Sequence, residues 1–302
     1  MAWVLVATGV ALPAVRRRAK IPRPVVLAGA GLAPVALCVA VPRSRYRDAA
    51  LCVLNMWAYV AAYEMPHDDP AGLEARVRVD YPIAIDRALG LGTPPTLRLQ
   101  RAFSAPGAIN RFERVLVWCH WMWFVVPHLS LAYVWWRTPD RFQGAAVRMY
   151  AVFDLGAVFY WAVPTAPPWW AAEQGRLDDR QSLRVRRMMI EYGEQFWGDR
   201  WGGLYDVLGG NPLAAMPSLH FATSIMGAHL LSEVGPVSGA VGWTYAGTLG
   251  LALVYLGEHY AVDLIAGAAL AETVRNVAPR LAPAYRRVSA ALQALESGAP
   301  GQ

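Results

Sequence analysis

His259 and Asp263 close the segment Gly257-Glu258-His259-Tyr260-Ala261-Val262-Asp263, at the mouth of an apolar stretch. Upstream, His220 ends Met216-Pro217-Ser218-Leu219-His220 and opens another apolar run. On a helix, positions i and i+4 share a face and lie about 6 Å apart along the axis. A carboxylate there can accept a hydrogen bond from one imidazole nitrogen. That bond fixes the tautomer and leaves the other nitrogen free as a nucleophile, the orienting logic of a catalytic triad. Pro217 and Ser218 read as helix-start residues, with Ser218 as N-cap. The dipole and free amides of such a helix end favour an anionic phosphate. An imidazole titrates near neutrality, so His220 can give a proton to a departing oxygen as a general acid. Two imidazoles and a carboxylate in otherwise apolar sequence point to phosphoryl transfer at a membrane surface.

The elements that must hold these groups are membrane helices. Of 302 residues, 56% are hydrophobic and 17% charged, below the roughly 25% charged residues usual in soluble domains. Thirteen Trp and thirteen Tyr suit amphipathic aromatics at two membrane–water boundaries. A spanning helix needs about 20 mostly apolar residues, and the candidate stretches are 24–42, 49–65, 113–136, 146–165, 216–234, 237–257 and 259–276. Residues 1–15 are apolar but short, and the basic cluster Arg16, Arg17, Arg18 and Lys20 follows them, the wrong side for a signal peptide. The predicted fold class is all-α: a polytopic membrane helical bundle, with one or two N-terminal helices added to a core. The expected divisions are 1–65 for N-terminal membrane helices, 66–112 for an outer loop, 113–276 for the core and 277–302 for a tail.

Charge sets the expected orientation. Arg275, Arg280, Arg286 and Arg287 place the tail in the cytoplasm, and the loops with Arg137, Arg141 and Arg148 and with Arg43, Arg45 and Arg47 fall on the same side. The Arg16–Arg23 cluster falls on the other side and breaks the rule. The +6 net charge is therefore topological bias rather than a nucleic-acid footprint. His220 and His259 both land at outer helix ends, facing the long loops 66–112 and 166–213. The first loop carries Ile83–Leu89, read as an amphipathic surface helix. The second carries Arg176, Arg180, Arg184, Arg186, Arg187 and Arg200. The expected setting is a bacterial plasma membrane with an extracytoplasmic site.

Other ionisable residues in apolar runs, Glu64, His120, His128, Asp154 and His229, read as structural polar contacts of the bundle. Cys38, Cys52 and Cys119 lack metal-ligand spacing and read as ordinary buried cysteines.

Pro217-Ser218-Leu219-His220 and His259-x3-Asp263, with the lead-in Val254-Tyr255-Leu256-Gly257, resemble the last two motifs of the type 2 phosphatidic acid phosphatase superfamily. In that family these read Pro-Ser-Gly-His and Ser-Arg-x5-His-x3-Asp. Leu219 in place of Gly, and Pro164-Thr165-Ala166-Pro167-Pro168-Trp169, resemble the branch containing fungal inositol phosphorylceramide synthase. The resemblance implies a six-helix core, a metal-independent reaction without cofactor, attack by His259 to form a phosphohistidine, orientation by Asp263, and proton transfer by His220. It also places Ser218 and Tyr255 among the substrate-binding residues.

Two departures bear on the chemistry. The family's Ser-Arg falls at Ala252-Leu253, and no Lys-x6-Arg-Pro precedes the Pro217 motif, Lys20 being the only lysine. Phosphoryl transfer needs donors on the equatorial oxygens, and the expected ones are Arg186 and Arg187, with Arg184 and then Arg176 behind them. The implied partners are the membrane, a phospholipid or lipid phosphate, and an acceptor that is water or a hydroxyl such as that of inositol, with no nucleic acid. The alternative is a non-catalytic lipid-phosphate carrier, for which Leu253 in place of the arginine is the one argument.

Overall fold

The computed structural model describes residues 1–105, 107–177 and 185–298. Among them the chain is all-α, with isolated bridges and no strand, and its apolar helices make it a membrane bundle. It divides into two compact units, Met1–Asp68 with the chain from Val274 onward, and Asp69–Thr273.

The first unit holds α1 (Ala2–Ala19), α2 (Arg23–Ala40) and α3 (Arg45–Glu64). Two members of the basic cluster that broke the charge rule are paired with carboxylates here. Arg16 reaches Glu64 at 2.8 Å and Asp68 at 2.9 Å, and Arg17 reaches Asp68 at 2.5 Å.

The second unit comprises α4 (Pro70–Glu74), α5 (Asp80–Leu89), α6 (Pro95–Phe103), α7 (Arg111–Met122), α8 (Val126–Arg137), α9 (Pro139–Ala162) and α10 (Pro168–Glu173). It continues through α11 (Met188–Trp197), α12 (Arg200–Gly209), α13 (Leu219–Val234), α14 (Pro236–Tyr255) and the start of α15 (Ala261–Gly298). Helix α13 is central, packing against α8, α9 and α14. Its buried positions run all round the helix and include Ala222, Ser224, Gly227 and Ala228, small residues that let neighbouring backbones approach.

By length and apolar composition, Arg23–Ala40 and Pro236–Tyr255 can each cross a membrane alone. The stretch expected as one span over 113–136 is instead two helices, α7 and α8, bent by 59°. Pro127 supplies the cause, because it has no N–H to give the carbonyl four residues back and its ring crowds that carbonyl. The break places Trp123 between the two helices, where its indole donates to Thr223 Oγ1 at 2.8 Å.

Helix α5 has one buried and one exposed face. Pro82, Ile83 and Asp86 are buried, and Ile83 joins a core cluster with Leu73, Leu97, Ala166, Val185 and Tyr260. Asp86 is fully enclosed because its carboxylate has a partner that local patterning cannot show: the start of α15.

Candidate active site

Two helix ends build the site, and the chain at each is closely specified. Helix α14 ends in a Schellman closure: Gly257 N donates to Val254 O at 3.3 Å and Glu258 N to Leu253 O at 3.1 Å. Gly257 has φ +79°, and a Cβ there would meet Val185 at 2.4 Å, so the turn requires glycine. Leu253 O also accepts from His259 N at 3.1 Å, which fixes the histidine backbone directly after the turn.

Helix α15 then begins with its free amides satisfied by carboxylates. Asp263 Oδ2 takes Tyr260 N at 2.9 Å, while Asp86 Oδ2 and Oδ1 take Ala261 N and Val262 N, each at 2.9 Å. Burial raises the Asp86 carboxyl, and the two amide bonds pull it back down. Helix α13 is tied to the same place, because Ser218 N donates to Asp263 O at 3.0 Å. Gly267 permits this approach, since a Cβ there would stand 2.5 Å from Ser218 O.

The result is a row of rings ending in a carboxylate. Asp263 Oδ2 lies 3.3 Å from His259 Nδ1, and His259 Nε2 lies 3.2 Å from His220 Nδ1. Asp263 is 0% and His259 4% exposed, so this contact sits in a poorly hydrated interior. The His220 ring is held on two sides, by Trp123 with centroids 4.0 Å apart and by His120 at 4.9 Å. Hydrogen-bond partners assign the tautomers. The carboxylate takes the Nδ1 proton of His259, whose Nε2 lone pair then accepts Nδ1–H from His220.

The structure thus brings His220, His259 and Asp263 together, and places the other expected residues variously. Ser218 is 0% exposed, with Oγ accepting from Phe221 N at 3.3 Å, so its side chain caps α13. Tyr255 is also enclosed, donating to Glu113 Oε1 at 2.9 Å inside the bundle. Arg184 lies outside the described residues. Arg186 is held by Glu191 at 2.5 Å, Ser104 Oγ at 2.9 Å, Ala105 O at 2.7 Å and Ala108 O at 3.0 Å, which commits its fork to these residues. Arg176 pairs with Asp80 at 2.6 Å on an exposed surface.

Arg187 differs from its neighbour. Its guanidinium lies over Trp169 at 3.8 Å and contacts Glu173 at 3.1 Å and Tyr205 Oη at 2.8 Å, while its buried Nε has no partner among the described residues. Glu258, directly before His259, feels its charge. Burial pushes the Glu258 carboxyl up to about 7, with Arg187 and His259 pulling it down. Gln100 positions this segment, donating to Arg186 O at 3.0 Å and Tyr255 O at 2.8 Å and accepting from Arg186 N at 2.8 Å.

Sequence reading missed Asp86, Gln100 and Glu258. Asp86 and Gln100 are single polar residues whose partners are distant in the chain, and Glu258 is set apart by its burial beside the Arg187 charge; no local spacing marks any of them. The structural role expected of other ionisable residues has visible partners: Glu64 with Arg16, His229 with Glu272 at 2.5 Å, and His128 stacked on Phe153.

The family model described as PAP2 superfamily matches residues 82–274, which includes both histidine motifs. An inositol phosphorylceramide synthase of Candida albicans is 32% identical over 125 residues, covering 40% of this chain and 26% of that protein. The match therefore spans about a quarter of the relative. No solved structure matches the chain.

Proposed function

Because the chain belongs to the PAP2 superfamily, a family of lipid phosphatases and phosphotransferases, we propose that it transfers a lipid-borne phosphoryl group through a phosphohistidine at His259. The carrying observation is the 3.2 Å contact between His259 Nε2 and His220 Nδ1, with Asp263 behind His259 Nδ1. In the first step His220 enters as the imidazolium; Nε2, released from its bond to His220, bonds to phosphorus as the bond from phosphorus to the lipid oxygen breaks, and His220 protonates that oxygen and becomes neutral. Asp263 balances the positive charge that develops on the phosphorylated ring. In the second step neutral His220 takes the proton of an incoming hydroxyl as its oxygen bonds to phosphorus, and the P–N bond breaks.

The free first-turn amides of α13 and Arg187 supply the donors for the phosphoryl oxygens. A Glu258 kept neutral below about 7 by burial leaves the Arg187 charge less cancelled. Asp86 occupies the amides of α15, so the phosphate seat belongs to α13. The site faces the extracytoplasmic side in this reading. Its support is the far end of α13, where Arg141 and Arg148 close on Glu233. An acceptor hydroxyl such as that of inositol, in place of water, is favoured by the Candida relative and by the Pro164–Trp169 segment, whose Trp169 N donates to Gly257 O at 3.2 Å.

Rapid quench of the purified protein with radiolabelled lipid phosphate traps acid-labile, base-stable phosphate on His259. Release to added inositol above release to water identifies a transferase, and equal release a phosphatase. Absence of both trapped phosphate and turnover across a broad lipid panel moves the chain to the carrier class. Arg187→Gln lowers kcat/KM by about 10²-fold, in line with loss of one transition-state donor. Arg186→Gln lowers thermal stability by a few degrees with kcat within about threefold, and Arg137→Gln is the surface control. Equal losses of activity at Arg186 and Arg187 remove the assignment of Arg187.

A further inference from the structure

A third imidazole stands in the row, and the mechanism above does not use it. His120, on the last turn of α7, is 4% exposed, and neither ring nitrogen has a hydrogen-bond partner among the described residues. Its ring stacks on His220 with centroids 4.9 Å apart and planes 24° from parallel. Leaving a buried donor and acceptor unmade is costly, and ring stacking alone does not explain it, because phenylalanine would stack equally well without that cost.

The surroundings say what the nitrogens face. Leu253, which stands where the family pattern carries its phosphate-clamping arginine, is 0% exposed and packs in one cluster with Cys119, Leu249, Val254 and Leu264, against Trp123. Cys119 and Trp123 flank His120 in the chain. The side of the site that lacks the arginine is therefore the side built from the end of α7. We propose that His120 is a further catalytic residue: its N–H donates to an oxygen of the transferring phosphoryl group, a neutral donor in the place left by the missing arginine. The ligand class is a tetrahedral phosphoryl group seated between His120, His220 and His259.

The inference rests on the phosphohistidine reading, and the experiment separates the two. Wild type, His120→Phe, His120→Met and His120→Gln are compared for kcat/KM on lipid phosphate, for inhibition by orthovanadate as a mimic of the five-coordinate phosphoryl group, and for thermal midpoint. Phe and Met fill the space without polar atoms, and Gln restores one N–H donor. The expected result is a loss of about 10²-fold in kcat/KM for Phe and Met, a parallel weakening of vanadate inhibition, and an unchanged or raised thermal midpoint. Gln recovers at least a tenth of wild-type turnover. A purely structural role predicts the opposite pattern, with thermal midpoints falling for all three variants and vanadate inhibition unchanged in the folded fraction. Either that pattern, or apolar variants within about threefold of wild type, overturns the proposal. If Phe does not fold, Met against Gln carries the comparison. The underlying reading fails separately, if His259 takes no phosphate in the wild-type protein.

Discussion

Purified His259→Ala protein turns over lipid phosphate roughly 10⁴- to 10⁶-fold more slowly than wild type, the scale on which loss of a covalent nucleophile is felt. The magnitude follows from what remains. Without Nε2 no P–N bond forms, and the enzyme keeps the cationic, amide and imidazole donors that hold the phosphate. Alanine leaves the His259 backbone in place, because Leu253 O still receives its amide and Asp86 still takes the next two along α15. Asp263 Oδ2 likewise keeps Tyr260 N. The variant is thus expected to fold and to bind vanadate measurably. Phosphate release by steady-state kinetics and binding by vanadate protection are the two readouts. Residual turnover within about tenfold of wild type sinks the nucleophile assignment, since no other imidazole has a carboxylate behind it in this row.

The trio at the centre was legible in the sequence because two of its members lie four residues apart and all three are ionisable groups in apolar surroundings, although His259 sits in the turn ahead of α15 and not on a helix. The bundle class was legible for the same compositional reason. What escaped has a common physical origin. Asp86 sits in a pattern that reads as one amphipathic face, yet its carboxylate serves amides 175 and 176 residues away. Arg186 and Arg187 are neighbours of the same type, and only their partners distinguish them. One meets Glu191, Ser104, Ala105 and Ala108, the other Trp169 and Tyr205 beside Glu258. Hydropathy merged α7 and α8 because averaging apolar side chains cannot register one absent N–H at Pro127, although that break is what sets Trp123 against His220. His120 read as an ordinary bundle residue since its stacking partner, like the gap at Leu253, is a tertiary fact.

Asp263→Asn is expected to cost about 10³- to 10⁴-fold in kcat with the fold intact, a loss of the size seen when the orienting carboxylate of a triad is neutralised. A single oxygen, Oδ2, serves both Tyr260 N and His259 Nδ1, at 2.9 and 3.3 Å. An asparagine that keeps its oxygen there preserves both bonds but brings no charge to balance the phosphorylated imidazolium. Turned the other way, its amide donates to Nδ1, moves the ring proton to Nε2 and blocks the attacking lone pair. Either orientation leaves an amide in a site that is 0% exposed, where Oδ1 of the wild-type carboxylate has no hydrogen-bond partner among the described residues. Because the α15 start keeps its Asp86 bonds, the loss should appear in kcat and in the amount of trapped phosphohistidine, with KM and thermal midpoint little moved. Rapid-quench trapping alongside steady-state kinetics separates the two: a variant that accumulates phosphohistidine normally but releases it slowly would reassign Asp263 from the first chemical step to the second.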